Sequence, residues 1–127
     1  MNIIELSRRI GLATFGSLIA MAALAHEPRL GPNGGWKVDA GAWHAELVAN
    51  DSTAVVVYLF DSADQPVSAE GWSANAILLV DGAAQRFDLR PDAEGRLAGT
   101  SALAVPTDVK GALQLVAPDG TSVQAKY

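Results

Sequence analysis

His44 and Glu46 are the residues whose types and spacing first suggest chemistry. They sit two apart in Trp43-His44-Ala45-Glu46-Leu47-Val48, whose alternation is that of a strand. Both side chains therefore leave one face, with β-carbons roughly 7 Å apart. An imidazole and a carboxylate so placed make a partial site for Cu(II) or Zn(II), but two ligands fall short of a closed structural site. His26 can complete it. Cleavage after Ala25 would leave His26 with a free amine beside its imidazole, and those two nitrogens can chelate one ion in a histidine brace. Pro28 has no N–H, so only the amide of Glu27 could add a further donor from this end. The bland readings stand beside these: His26 as the first residue of a frayed terminus, and His44 as a half-exposed partner of a cross-strand neighbour.

Catalysis finds less support. The chain has no G-x-S-x-G elbow, Walker loop, H-E-x-x-H pair or Rossmann glycine pattern, and only one His away from the new terminus, so no enzyme is expected. Zero cysteines exclude a disulfide framework, a thiolate metal site and a cysteine nucleophile. Asp61, Asp64 and Glu70 lack the Ca(II)-loop pattern and read as solvated turn acids. Asn50-Asp51-Ser52 matches a glycosylation sequon, which a turn explains equally well.

The elements that must position these residues follow an export signal. A basic pair, Arg8-Arg9, precedes an uncharged Leu-, Ile- and Ala-rich stretch closing in Ala23-Leu24-Ala25, the layout of a secretory signal peptide over residues 1–25. As a helix, the 16 residues from Ile10 to Ala25 would span about 24 Å, short of a hydrocarbon core of about 30 Å, so no permanent membrane anchor is expected. Ser7-Arg8-Arg9 resembles the start of a twin-arginine signal, but Gly11 stands where that motif carries a large apolar residue. Either route leads to the periplasm. Of the 127 residues, 9 are basic and 14 acidic; Arg8, Arg9 and Glu5 lie in the signal, leaving a net charge of −6. Nucleic acid is thereby excluded as an expected partner, because phosphate binding draws on clustered Lys and Arg.

Residues 26–35, His-Glu-Pro-Arg-Leu-Gly-Pro-Asn-Gly-Gly, read as an irregular, flexible leader free to fold over the domain. Eight short strands are expected after it: 36–39, 43–49, 54–60, 72–80, 85–90, 96–100, 112–117 and 121–127. Asp81-Gly82 and Asp119-Gly120 mark hairpins, and Asn50-Asp51-Ser52 a third tight connection. Strands this close leave no room for helices and predict an all-β domain over 36–127, an antiparallel immunoglobulin-like β-sandwich of 7–8 strands, with a small closed barrel as the alternative. Trp43, Ala45 and Leu47 form the core face of their strand, and the unbroken Val55–Phe60 run reads as a central strand covered on both sides.

Asn33-Gly-Gly-Trp-Lys-Val-Asp-Ala-Gly-Ala-Trp-His-Ala-Glu-Leu-Val, followed by Val-Val-Val-Tyr-Leu-Phe-Asp-Ser-Ala-Asp-Gln-Pro-Val-Ser-Ala-Glu-Gly, resembles a family of small exported bacterial proteins associated with heavy-metal handling. Related segments occur near the front of periplasmic adaptors of metal-efflux pumps. The family pattern is His-Gly-Gly, then an aromatic-His-x-Glu-Leu-Val strand, then a Val-rich strand ending in Asp and a Pro-Val turn; the likeness runs from Asn33 to Tyr127. Carried over, the second family histidine falls on His44, the glutamate on Glu46 and the glycine pair on Gly34 and Gly35, while Asn33 stands where the first histidine would. An amide is a poor substitute for imidazole. Either His26 takes over the lost position, or metal binding is weakened. The resemblance implies a periplasmic β domain and copper or a similar ion. The expectation is a non-enzymatic metal-binding protein using His26, His44 and Glu46, with zinc as the second metal. A metal-free module docking on an efflux adaptor or other envelope protein is the alternative.

Overall fold

A computed structural model describes residues 26–127; the expected signal segment lies outside them. Among the described residues there is no helix. Ten strands follow in chain order: β1 (Arg29–Leu30), β2 (Trp36–Ala40), β3 (Trp43–Val48), β4 (Ser52–Phe60), β5 (Pro66–Val67), β6 (Ser73–Val80), β7 (Ala83–Pro91), β8 (Leu97–Val105), β9 (Lys110–Val116) and β10 (Ser122–Lys126). All eight expected strands are present, with shifted ends, and β1 and β5 are added.

Turn chemistry sets the hairpins. Asp81 and Gly82 both adopt positive φ, 51° and 77°, and join β6 to β7 with Val80 opposite Ala83. Such a pair matches the twist of the flanking strands. Asn50 and Asp51 do the same between β3 and β4, at 49° and 58°. A hairpin not singled out from the sequence joins β2 to β3 through Gly41-Ala42, with Gly41 at φ 59°. That turn fixes the register on which the site depends.

All pairings are antiparallel, and the strands run β1-β2-β3-β4-β8-β7-β6-β9-β10 as one curled sheet, with β5 attached to β4. The bridge between its two halves is β7, which pairs with β6 along most of its length but with β8 only through Arg90 and Pro91. The all-β antiparallel class holds; the immunoglobulin-like sandwich is a finer statement than this continuous ladder makes. One core joins the halves, with Val38, Ala45, Leu47, Val57 and Leu59 on one side and Leu78, Leu89, Leu113 and Leu115 on the other. Trp43 and Trp72 meet edge to face at 5.0 Å. The curl brings Val123 of β10 against Gly41, and Tyr127 donates its hydroxyl to the Ala45 carbonyl at 2.8 Å.

Candidate metal centre

Residues Val38, Ala40, Ala45 and Leu47 face the core, so the alternate residues of β2 and β3 turn outward. Register pairs them across the strands: Asp39 lies opposite His44 and Lys37 opposite Glu46, with Phe60 and Tyr58 next on β4. This outer face is not left to solvent. The leader crosses it from one side, and the loop between β4 and β5 reaches it from the other. Residues 26–35 were expected to be irregular. Instead β1 pairs with β2, Arg29 opposite Lys37 and Leu30 opposite Trp36, and Gly31 and Gly35 close the following turn by a 2.8 Å hydrogen bond.

Asp39 is the focus of the exposed end. The backbone nitrogen of His26 donates to its Oδ2 at 2.9 Å, and Nδ1 of the same residue lies 3.1 Å from that oxygen. From β3, His44 brings Nε2 to 3.3 Å from Asp39 Oδ1. One ligand atom from each of His26, Asp39 and His44 falls within 4.8 Å of the others. Burial works to raise the Asp39 carboxyl, but the His26 backbone hydrogen bond and the charges of His26 and His44 outweigh it, holding the group below the usual carboxylate range.

His44 is gripped from its other nitrogen as well. Its Nδ1 lies 2.7 Å from Asp64 Oδ1. Asp64 sits at φ 60° in a loop that Asp61 ties by accepting from the Ala63 and Gln65 amides. Lys37, its ammonium 4.7 Å from the Phe60 ring centre, donates to Asp64 at 3.1 Å, and Arg29 of the leader reaches the same carboxylate at 3.3 Å. Asp64 is, as expected, an exposed acid on a turn, and it is in addition paired with His44, Lys37 and Arg29. The contact on Nδ1 has a chemical consequence. A neutral imidazole has one N–H and can donate to only one of its two flanking carboxylates. With the proton on Nδ1 toward Asp64, the Nε2 lone pair faces Asp39, and a cation between them, proton or metal ion, resolves the repulsion. This is the carboxylate–histidine arrangement that orients metal-binding imidazoles.

Glu46 does not join this group, which corrects its expected role as a ligand. It is fully buried beneath the leader turn, and its carboxylate accepts from the Asn33 amide at 2.8 Å, the Asn33 side chain at 2.9 Å and the Gly35 amide at 2.9 Å. Gly31 lies so close that a Cβ there would meet the carboxylate carbon at 2.2 Å. Three N–H donors engage the Glu46 oxygens and clamp the leader. Asn33, set where the resembled pattern has histidine, works with Glu46 and not with His44. The outward face thus carries two separate arrangements: a hydrogen-bonded clamp at Glu46 and a His26–Asp39–His44 cluster.

Asp39 was the residue sequence reasoning missed. The signal was there: a two-residue turn at Gly41-Ala42 counts Asp39 directly opposite His44. The donor set fits a transition metal. His26 and His44 each bring an imidazole nitrogen and Asp39 a carboxylate oxygen, while the described residues hold neither Cys nor Met. Imidazole and carboxylate donors without sulfur suit Cu(II) and Zn(II). Comparison with known proteins leaves this geometry to stand alone: no family model, curated protein or solved structure matches the chain.

Proposed function

We propose that the chain, exported and cut after Ala25, binds one divalent transition-metal ion, copper(II) before zinc(II), and serves metal homeostasis or tolerance in the periplasm by holding the ion, not by catalysis. The observation that carries this reading is the convergence of His26 N, His26 Nδ1 and His44 Nε2 on the Asp39 carboxylate. Those groups would hold the ion, and Asp64 would fix which nitrogen of His44 faces it. Bound there, the ion replaces the protons that otherwise separate the nitrogens from the carboxylate. Processing is part of the design. Within the uncut chain the His26 nitrogen is an amide and a poor donor; cleavage turns it into an amine already aimed at the site.

The test is Cu(II) affinity by competition titration, with the N-terminus and stoichiometry read from the same sample by native mass spectrometry. His44→Ala and Asp39→Asn should each lower affinity at least tenfold, as should one glycine added before His26. Glu46→Gln, which retains an acceptor for the leader turn, should stay within about threefold, since second-sphere losses begin near tenfold. Unchanged affinity in His44→Ala, or a mature protein that retains no ion, sinks the proposal. In the second case the docking reading takes its place, with the exposed Ile77, Leu79 and Val116 of β6 and β9 as the surface to mutate.

A further inference from the structure

The leader is held at two places by contacts of different kinds. Its turn is clamped by Glu46, buried and engaged by three N–H donors, without help from any ion. Among the described residues, the polar contacts of its first part are His26 on Asp39, a two-residue ladder against β2, and the Arg29–Asp64 pair. That pair spans 3.3 Å between side chains 39% and 46% exposed, a geometry that adds little. Two ladder residues at the end of the sheet order add little more. The one contact that an ion would strengthen is therefore the one on which the free end depends.

Resting on the metal reading above, we propose that the site is also a latch. An ion shared by His26, Asp39 and His44 ties the leader to β2 and β3 at once and holds residues 26–30 down as the edge strand. Without the ion this segment peels away as far as the Glu46 clamp and stops there. Release uncovers the edge of β2. It also removes Glu27 and Pro28 from the groove they line with Trp36, Val109, Lys110 and Tyr127. Metal occupancy is thereby converted into a change of shape at one edge of the sheet, the form in which a partner could read it.

Trypsin reports this directly, because Arg29 is followed by Leu30, which is 68% exposed, whereas Lys37 is buried at 7%. The processed protein would be digested with and without Cu(II), an unstructured arginine peptide in the same tube reporting on trypsin itself. Retained ion would be checked by native mass. In the metal-free protein the Arg29–Leu30 bond should be cut well before the Lys37–Val38 bond. At free Cu(II) about a hundred times Kd, that cut should slow roughly a hundredfold, because the open form loses the site. Retained copper with an unchanged Arg29 cut overturns the latch and leaves the metal reading intact. Equal rates at Arg29 and Lys37 without metal overturn it too, since the segment would then open only with the whole fold. A protein that retains no copper overturns both.

Discussion

Strands β3 and β6 alternate by the same rule yet end with opposite outer faces. Along β6 the outward residues Ser73, Asn75, Ile77 and Leu79 are all exposed, and the inward Ala74, Ala76, Leu78 and Val80 are all buried. On β3 the outward residues are covered: the His44 side chain is 12% exposed and Glu46 is fully buried. The difference comes from what lies above. Over β2, β3 and β4 the leader and the β4–β5 loop form a partial second layer; over β6 and its neighbours the described chain provides none. Polar groups under such a layer are desolvated, so each must be satisfied, and the contacts that satisfy them are held in fixed geometry. Identical strand patterning thus yields plain surface in one half and a preorganised polar strip in the other.

The sharpest way to break this comparison is to remove the buried acid. Glu46→Ala strands the buried Gly35 amide and hands the more exposed Asn33 amide to water, and should cost about 1–3 kcal/mol, the usual penalty for one unsatisfied buried donor. Asn75→Ala, at an outward position of β6, should stay within about 0.5 kcal/mol. Urea unfolding of the two variants checks both figures, and similar losses would mean the second layer contributes nothing.

How much of this was legible in the sequence follows the same division. Hairpins set by Asp81-Gly82 and Asn50-Asp51, and the core faces of β3 and β7, depend on local turn chemistry and period-two patterning, which neighbouring residues declare. Central β4 was readable from Val55–Phe60, none of which is exposed. The site was half readable. His44 and His26 were singled out from residue type and from the expected cleavage point, and the structure brings both beside Asp39. Glu46 was misassigned because alternation gives a face but not what covers it; its partners, Asn33 and Gly35, lie 13 and 11 positions away on a turn that composition presented as loose. Asp64 was rightly placed as an exposed turn acid, but its partners were missed for a related reason. Its three partners, Arg29, Lys37 and His44, come from the leader, β2 and β3, 35, 27 and 20 positions earlier, and no local pattern joins them.

A comparable effect is expected where the layer touches the strand most closely. Gly31→Ala places a methyl on the Glu46 carboxylate, which three donors hold in place, so the turn must shift outward. Overpacking of this kind costs about 1–3 kcal/mol. The φ of Gly31 is not positive, so the penalty is steric and not conformational. Double-mutant analysis sharpens the point: in a Glu46→Ala background the added methyl has room, and most of its cost should vanish. A cost that persists would place the clash elsewhere.

The smallest effect concerns acid, and its sign follows from the loop that covers His44. The Lys37 hydrogen bond is the largest influence on Asp64; partial burial opposes it, His44 adds to it, and the carboxyl falls from 3.8 to about 2. A carboxyl whose pKa is lower folded than unfolded is protonated more readily in the unfolded chain, so its contribution is complete above 3.8 and is lost as pH falls through about 2. Asp64 is 46% exposed, and solvent screening keeps the contribution small. The measurement is unfolding stability against pH for the protein and for Asp64→Asn, with the difference between them plotted. That difference should be level at mild pH and shrink below 3.8. A difference that stays constant through that window would show that Lys37 and His44 do not hold Asp64 in solution, and the layer over β3 would be looser than its hydrogen bonds imply.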